Sequence, residues 1–204
     1  MNEADQLVAE LHRYVADERV LEAIRHVPRE AFVPPELRSH AYDNTALGIG
    51  CGQTISQPLV VARMTELLEL KPGDRVLDVG TGSGYHAAIL ATLAGHVWSI
   101  ERHAELTRQA ADALDRAGIE NVTLLVGDGS RGVPEEAPFD AINVAAAGGR
   151  ELLEALEGQL ADGGRLVAPV TGRRQRLTVV RRAADRLHWR ELEEVRFVPL
   201  VRDR

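Results

Sequence analysis

The stretch Arg75-Val76-Leu77-Asp78-Val79-Gly80-Thr81-Gly82-Ser83-Gly84-Tyr85-His86-Ala87-Ala88-Ile89-Leu90-Ala91 decides the fold. Val76, Leu77 and Val79 form the short apolar run of a parallel strand buried on both faces. Gly80, Gly82 and Gly84 follow at alternate positions. Glycine takes positive φ without strain and lets a backbone come close to a ligand. Ala87 to Ala91 then reads as a helix laid on the sheet. Strand, glycine turn and helix make the opening unit of a nucleotide-binding α/β domain.

The dinucleotide fingerprint would place glycine or alanine at position 85, where Tyr85 stands. The spacing here is Asp-x-Gly-x-Gly-x-Gly from Asp78. A second strand, His96 to Ile100, ends on Glu101, about 20 positions beyond Gly80, where a doubly wound fold sets an acid against a ribose diol. A third, Val122 to Val126, runs into Gly127-Asp128-Gly129. Asp78, Glu101 and Asp128 thus stand at successive strand ends, outside which ligands bind. Acceptors with little positive charge suit a nucleoside carrying a cationic sulfonium better than a pyrophosphate. The pattern resembles class I S-adenosylmethionine-dependent methyltransferases, which implies S-adenosyl-L-methionine as cofactor.

Upstream, residues 3–16 and 18–27 read as two amphipathic helices, with Val20, Ile24 and Val27 along one stripe. Residues 43–56 carry three glycines and no clear period, which predicts a long functional loop. Pro58 suits the first turn of a helix running to Leu70. Downstream, residues 103–117 predict a helix stopped by Gly118, and Phe139 to Ala145 a fourth strand. A helix over 150–161 and a fifth strand, Arg165 to Val170, follow. Residues 175–182 and 188–198 close the chain as paired strands. The expectation is one domain over 1–204, with a helical extension and substrate loop over 1–57 and a cofactor-binding core over 58–204. Its fold class is a Rossmann-like doubly wound sheet with helices on both faces and an antiparallel C-terminal end.

With 204 residues, 45% of them hydrophobic, the chain can bury a full α/β core. A net charge of −7 argues against a general nucleic-acid or membrane-surface binder. Cys51 is the one cysteine, so an intrachain disulfide and a cysteine-based metal cluster are excluded. The seven histidines lack metal-ligand spacing, so no metal is expected. The first twenty residues are polar, and no apolar run reaches the roughly 20 residues of a membrane span. A cytoplasmic, monomeric enzyme is expected. Residues 173–204 hold ten arginines against five acids. This is read as a solvated edge with ion pairs ahead of a peptide-facing patch.

Gly50-Cys51-Gly52-Gln53-Thr54-Ile55-Ser56-Gln57-Pro58, together with Val76–Ala91, Gly127-Asp128-Gly129, residues 137–142 and Val195-Arg196-Phe197-Val198-Pro199-Leu200, resembles the protein-L-isoaspartate O-methyltransferase family. The resemblance runs in order from about Val20 to Val201. It implies methyl transfer to the free α-carboxylate of L-isoaspartyl residues in damaged proteins, followed by collapse of the ester to a succinimide. It implies Ser56 as the active-site serine. Gln53, Thr54 and Ile55 would lie beside the methionine half of the cofactor, with Asp78, Gly80, Thr81, Gly82, Ser83 and Gly84 around its loop. Glu101 and Arg102 would stand at the ribose, and Asp128 with Gly129 at the adenine. Thr54, Ser56, Ala145, Arg196 and Val198 would face the peptide. Ser130, Ala145 and Cys51 depart from the usual family residues.

An α-carboxyl group has a pKa of roughly 3.3–3.7, so the acceptor is ionised at neutral pH and needs no general base. A neutral hydroxyl can orient it without over-stabilising it, a suitable use of Ser56. Ser56 can equally cap the helix that begins at Pro58. Asp78 can be a structural acid bonding loop amides, Asp128 a turn residue, Glu101 a surface acid and Arg196 an ordinary ion-pair partner. Cys51 reads as a small apolar filler rather than a nucleophile. Three other functions stay open: tailoring of an aspartate in a precursor peptide, nicotinamide-dependent dehydrogenation, and nucleoside binding without catalysis.

Overall fold

The computed structural model describes residues 2–200. The chain enters through two capped helices. Asn2 accepts from the Asp5 amide, and Asp5 accepts back from the Asn2 amide, at the start of α1 (Glu3–Leu11). Asp17 accepts from the Arg19 amide at the start of α2 (Glu18–His26). α1 stops earlier than the sequence predicts, because the Tyr14 and Val15 amides both turn back to the Leu11 carbonyl. Leu7, Leu11, Val20, Leu21 and Ile24 share one buried cluster with Tyr85, Ile89, Leu106 and Leu114. The N-terminal helices therefore pack on the helices of the core.

The predicted loop over 43–56 contains an antiparallel hairpin, β1 (Leu47–Gly50) with β2 (Gln53–Ile55). Its turn holds Gly50, Cys51 and Gly52 at φ of 96°, 50° and 68°. α3 (Pro58–Leu68) follows with proline in its first turn.

β3 (Arg75–Val79), α4 (Tyr85–Leu93), β4 (His96–Glu101), α5 (Ala104–Arg116), β5 (Val122–Val126) and β6 (Phe139–Val144) alternate along the sequence. The buried parallel strands are near-continuous apolar runs, as burial on both faces requires. α6 covers only Glu154–Glu157, and β7 spans Leu160–Thr171. The helix expected over 150–161 is thus cut short. Gly163, at φ 75°, and Gly164, where a side chain would meet the Ala161 carbonyl at 2.8 Å, belong to the strand. β8 (Gln175–Ala183) and β9 (Arg186–Glu194) finish the sheet, so the last strand ends four residues before the predicted Val198. Strand order is β5-β4-β3-β6-β7-β8-β9, parallel through β7 and antiparallel after it. The sheet is the doubly wound type that the sequence predicts.

Asp74 and Arg165 form a buried ion pair at 2.7 Å below the sheet's amino-terminal edge. Arg165 also donates to the carbonyls of Leu68, Glu69 and Asp140. In the arginine-rich C-terminal segment Arg174 pairs with Glu194, Arg176 with Glu191 and Arg181 with Glu69. Arg202, Asp203 and Arg204 lie outside the described residues. No helix among the described residues is long and apolar enough to cross a membrane.

Candidate active site

Register places three polar side chains abreast at the sheet's centre: Asp78 pairs in register with Ser99 on β4 and Asn143 on β6. Both donate to the Asp78 carboxylate at 2.7 Å. Thr81 meets the Ser99 hydroxyl at 2.6 Å, and the Asn143 amide also reaches His86 Nδ1 at 3.1 Å. His86 Nε2 meets the Thr65 hydroxyl, which donates to the Val61 carbonyl. Burial raises the Asp78 pKa to about 6 against the two hydrogen bonds, and lowers His86 to about 3. Asp78 is fully buried and lines no cavity. It ties three strands together beneath the glycine turn.

The turn itself is held from the neighbouring strand end. The Gly80 amide donates to the Ile100 carbonyl at 2.9 Å. Glu101 accepts from the Gly82 amide at 3.0 Å and from the His103 amide at 3.0 Å. Glu101 as a whole is 6% exposed, which corrects the reading of a surface acid. Asp128 accepts from the Ser130 amide at 3.0 Å, a turn that sets Gly129 against the sheet. A side chain at Gly129 would meet Val79 Cγ1 at 2.6 Å. These groups surround a cavity of about 290 Å³ whose walls include Gln53, Gly80, Glu101, Arg102, Gly129 and Pro199. That is the low end of ligand cavities, roughly 300–1,000 Å³.

A second cavity, about 1050 Å³, opens beside the hairpin. Thr54, Ser56, Ala145, Arg196 and Val198, the five residues expected to face a peptide, all line it. Ser56 makes no capping bond; Gln57 occupies the helix N-cap position, without a side-chain cap. The Ser56 hydroxyl thus faces the cavity without a partner among the described residues. Arg196 is exposed and forms no ion pair among them, whereas Arg174 on the same wall is taken up by Glu194.

The two cavities share a thin wall. Gln53 lines the smaller and Thr54 the larger; Pro199 lines the smaller and Val198 the larger. Between these strands of chain, Gly80 on one side backs onto Ala145 on the other, where a Cβ added at Gly80 would fall 3.6 Å from the Ala145 Cβ. The segment after β9 is fastened there, since the Ala147 amide donates to the Val198 carbonyl and the Leu200 amide to the Ala147 carbonyl, both at 2.7 Å.

Thr81, Gly82, Ser83, Gly84 and Asp128 support the smaller cavity without lining it. Ile55 packs into the core at 3% exposure and lines neither cavity. Cys51 is exposed on the hairpin turn at the cavity edge, its thiol 3.9 Å from Glu105, so it is not the buried filler that its type implies. Gln57 and Leu200, which lie in the stretches that carry the resemblance, also line the larger and the smaller cavity; Ile100 and His103 line the smaller and Thr45, Val60 and Gln175 the larger, yet carry no motif that marks them. Among the described residues no group of three potential metal ligands converges.

Two cavities meeting across one residue's thickness suit a transferase that holds donor and acceptor side by side, and the sheet places the chain among the Rossmann-like methyltransferases. Comparison with known proteins narrows this: the chain belongs to the protein-L-isoaspartate(D-aspartate) O-methyltransferase family, whose model matches residues 2–204. A Halorhodospira halophila protein-L-isoaspartate O-methyltransferase is 55% identical over 93% of this chain and 87% of its own. One from Rhodopseudomonas palustris is 54% identical over 94% and 79%. A solved protein of the same name superposes with a TM-score of 0.85 at 31% identity over 96% of this chain; the chain spans 65% of that longer protein. A Plasmodium falciparum structure so described, holding S-adenosyl-L-homocysteine, gives a TM-score of 0.85 at 27% identity over the whole of both chains.

Proposed function

We propose that this chain transfers a methyl group from S-adenosyl-L-methionine to the free α-carboxylate of L-isoaspartyl residues in proteins and peptides. The observation that carries the reading is the thin wall, with a carboxylate-braced glycine turn on one side and the unpaired Ser56 hydroxyl and Arg196 guanidinium on the other. The smaller cavity fits the nucleoside cofactor: Gly80 offers bare backbone, Glu101 a fixed carboxylate and Gly129 a floor that no side chain could share. When bound, the cofactor supplies a methyl on a cationic sulfur. Gln53 and Gly80 stand at the cavity side of the wall, and Glu101 and Arg102 beside the ribose position.

On the other side, the Ser56 hydroxyl donates to one acceptor oxygen and leaves the second free to attack. Arg196 attracts the anionic residue into the groove, and Thr54, Ala145 and Val198 shape its floor. No proton has to be removed from a carboxylate at neutral pH. Catalysis then consists of holding the reacting atoms at attack distance with water excluded, which alone can supply several orders of magnitude. Methylation of an isoaspartyl peptide in preference to its aspartyl twin tests the reading.

Residues 1–57 act with 58–204 as one domain, a reading supported by the cluster that α1 and α2 share with α4 and α5. A reducing, cytoplasmic setting is supported by Cys51 being the one cysteine. Action as a monomer belongs to the same proposal. Tailoring of a dedicated precursor peptide has no specific observation in its favour.

A further inference from the structure

Arg29 lies beneath the acceptor cavity, 0% exposed. Its Nε donates to the Ala41 carbonyl at 2.8 Å and its Nη2 to the Ser56 carbonyl at 2.7 Å. Nη1 has no hydrogen-bond partner. The guanidinium stands 4.6 Å from the centre of the Tyr85 ring, the residue that follows Gly84 of the glycine turn. It forms no ion pair with any carboxylate among the described residues. Its surroundings are two carbonyl oxygens, the ring and hydroxyl of Tyr85 and the hydroxyl of Tyr42, neutral groups that attract a cation without neutralising it.

A buried charge normally pairs or loses its proton, and arginine does not lose its proton. Two neutral donors would have sufficed to hold two carbonyls. The retained charge therefore has a use, and the chain segment it grips is the one that presents Ser56 to the acceptor cavity. We propose that Arg29 is a positioning residue that fixes the Ser56 main chain and leaves a positive charge behind the acceptor cavity, selecting an anionic acceptor. Through a low-dielectric wall such a charge acts at a distance. It draws a carboxylate in without bonding to it, so the attacking oxygen keeps its nucleophilicity. A salt bridge at that oxygen would blunt it. This inference rests on carboxyl methylation as the chain's reaction and names a determinant of its acceptor.

The test uses the full chain and two peptides that differ only at the branch, the isoaspartyl α-carboxylate and its α-carboxamide: turnover is measured with S-adenosyl-L-methionine, and peptide affinity with the chain loaded with S-adenosyl-L-homocysteine. Wild type is first shown to methylate the carboxylate peptide; failure there counts against the reaction, not against Arg29. In folded Arg29→Gln, S-adenosyl-L-homocysteine affinity stays at the wild-type level. Carboxylate peptide affinity falls about tenfold or more, the size of one charge interaction at intermediate dielectric, while carboxamide affinity is unchanged. Arg29→Lys restores the preference for the carboxylate but not full kcat, because one ammonium cannot reproduce the fork that spans Ala41 and Ser56. A Gln variant that keeps the wild-type preference, or that loses both peptides equally, overturns the proposal. If Arg29→Gln does not fold, Arg29→Lys decides by the same ratio: preference retained with lowered kcat supports the assignment, and preference lost despite retained charge overturns it.

Discussion

Gly80 and Ala145 stand back to back, a side chain at Gly80 falling 3.6 Å from Ala145 Cβ, with Gly80 lining the smaller cavity and Ala145 the larger. The Ala145 amide donates to the Val79 carbonyl at 2.8 Å, so the ends of β3 and β6 are locked at that point. The central strand thus fixes both where the smaller cavity ends and where the larger begins.

Glu101 braces the glycine turn through two backbone amides. Glu101→Ala leaves both amides short of an acceptor, at a cost of about 1–3 kcal/mol each where they stay dry. Calorimetry with S-adenosyl-L-homocysteine is expected to show weaker binding than wild type in a variant that still folds. Unchanged affinity removes Glu101 from the donor site.

Ser56→Ala removes a hydroxyl that caps no helix. Stability is expected to change by well under the roughly 1 kcal/mol of a lost cap. Steady-state kinetics should show kcat falling on the order of tenfold or more, with cofactor affinity unchanged. A variant that turns over normally contradicts the role.

The buried pair Asp78 and His86 makes a signed prediction. The Asp78 pKa is raised to about 6 in the folded chain, so its contribution to stability is present at low pH and lost as pH rises through about 6. The His86 pKa is lowered to about 3, so its contribution is present above its unfolded value and lost as pH falls. Between about pH 4 and 6 the two slopes oppose each other. Asp78→Asn removes one of them. Its urea-derived stability should fall, relative to wild type, by up to about 1.4 kcal/mol per pH unit on acidification across that window. Parallel profiles for the two proteins contradict the assignment.

Asp74→Ala strands the Arg165 charge, and loss of one partner of a buried pair costs about 3–5 kcal/mol. Arg165 keeps three carbonyl acceptors, so a value near the lower end is expected from denaturation. The pair lies away from both cavities, so turnover per folded molecule should match wild type.

Strand-end chemistry was legible because parallel strands buried on both faces leave continuous apolar runs, as at Val76–Val79 and Phe139–Val144. The β1–β2 hairpin was hidden because its tight turn needs three successive residues of positive φ, whose glycines erase the alternation that marks a strand. The helix predicted over 150–161 stops at Glu157 because β7 begins at Leu160 and takes in Gly163 and Gly164 in its irregular pairing with β6. The bracing role of Asp78 between strands was hidden for a different reason. Strand position is readable from sequence, whereas its lateral partners, Ser99 and Asn143, come from elements 21 and 65 residues away. Arg29 carried no signal at all, because an arginine between Pro28 and Glu30 in a short proline-punctuated connection looks exposed until the fold covers it.

The central claim concerns the acceptor. An isoaspartyl linkage carries the main chain through the side-chain carboxyl and leaves the α-carboxylate one bond from the chiral carbon, whereas aspartate holds its free acid one carbon further out. A site that fixes the flanking chain cannot place both oxygens correctly, and about 1 Å of displacement costs on the order of a hundredfold. Incubation with methyl-labelled S-adenosyl-L-methionine and a matched pair of peptides, identical except for L-isoaspartate or L-aspartate, tests this most directly. The account predicts a base-labile ester on the isoaspartyl peptide and little label on its twin. Equal labelling of the two, or a label that survives mild base, would contradict it.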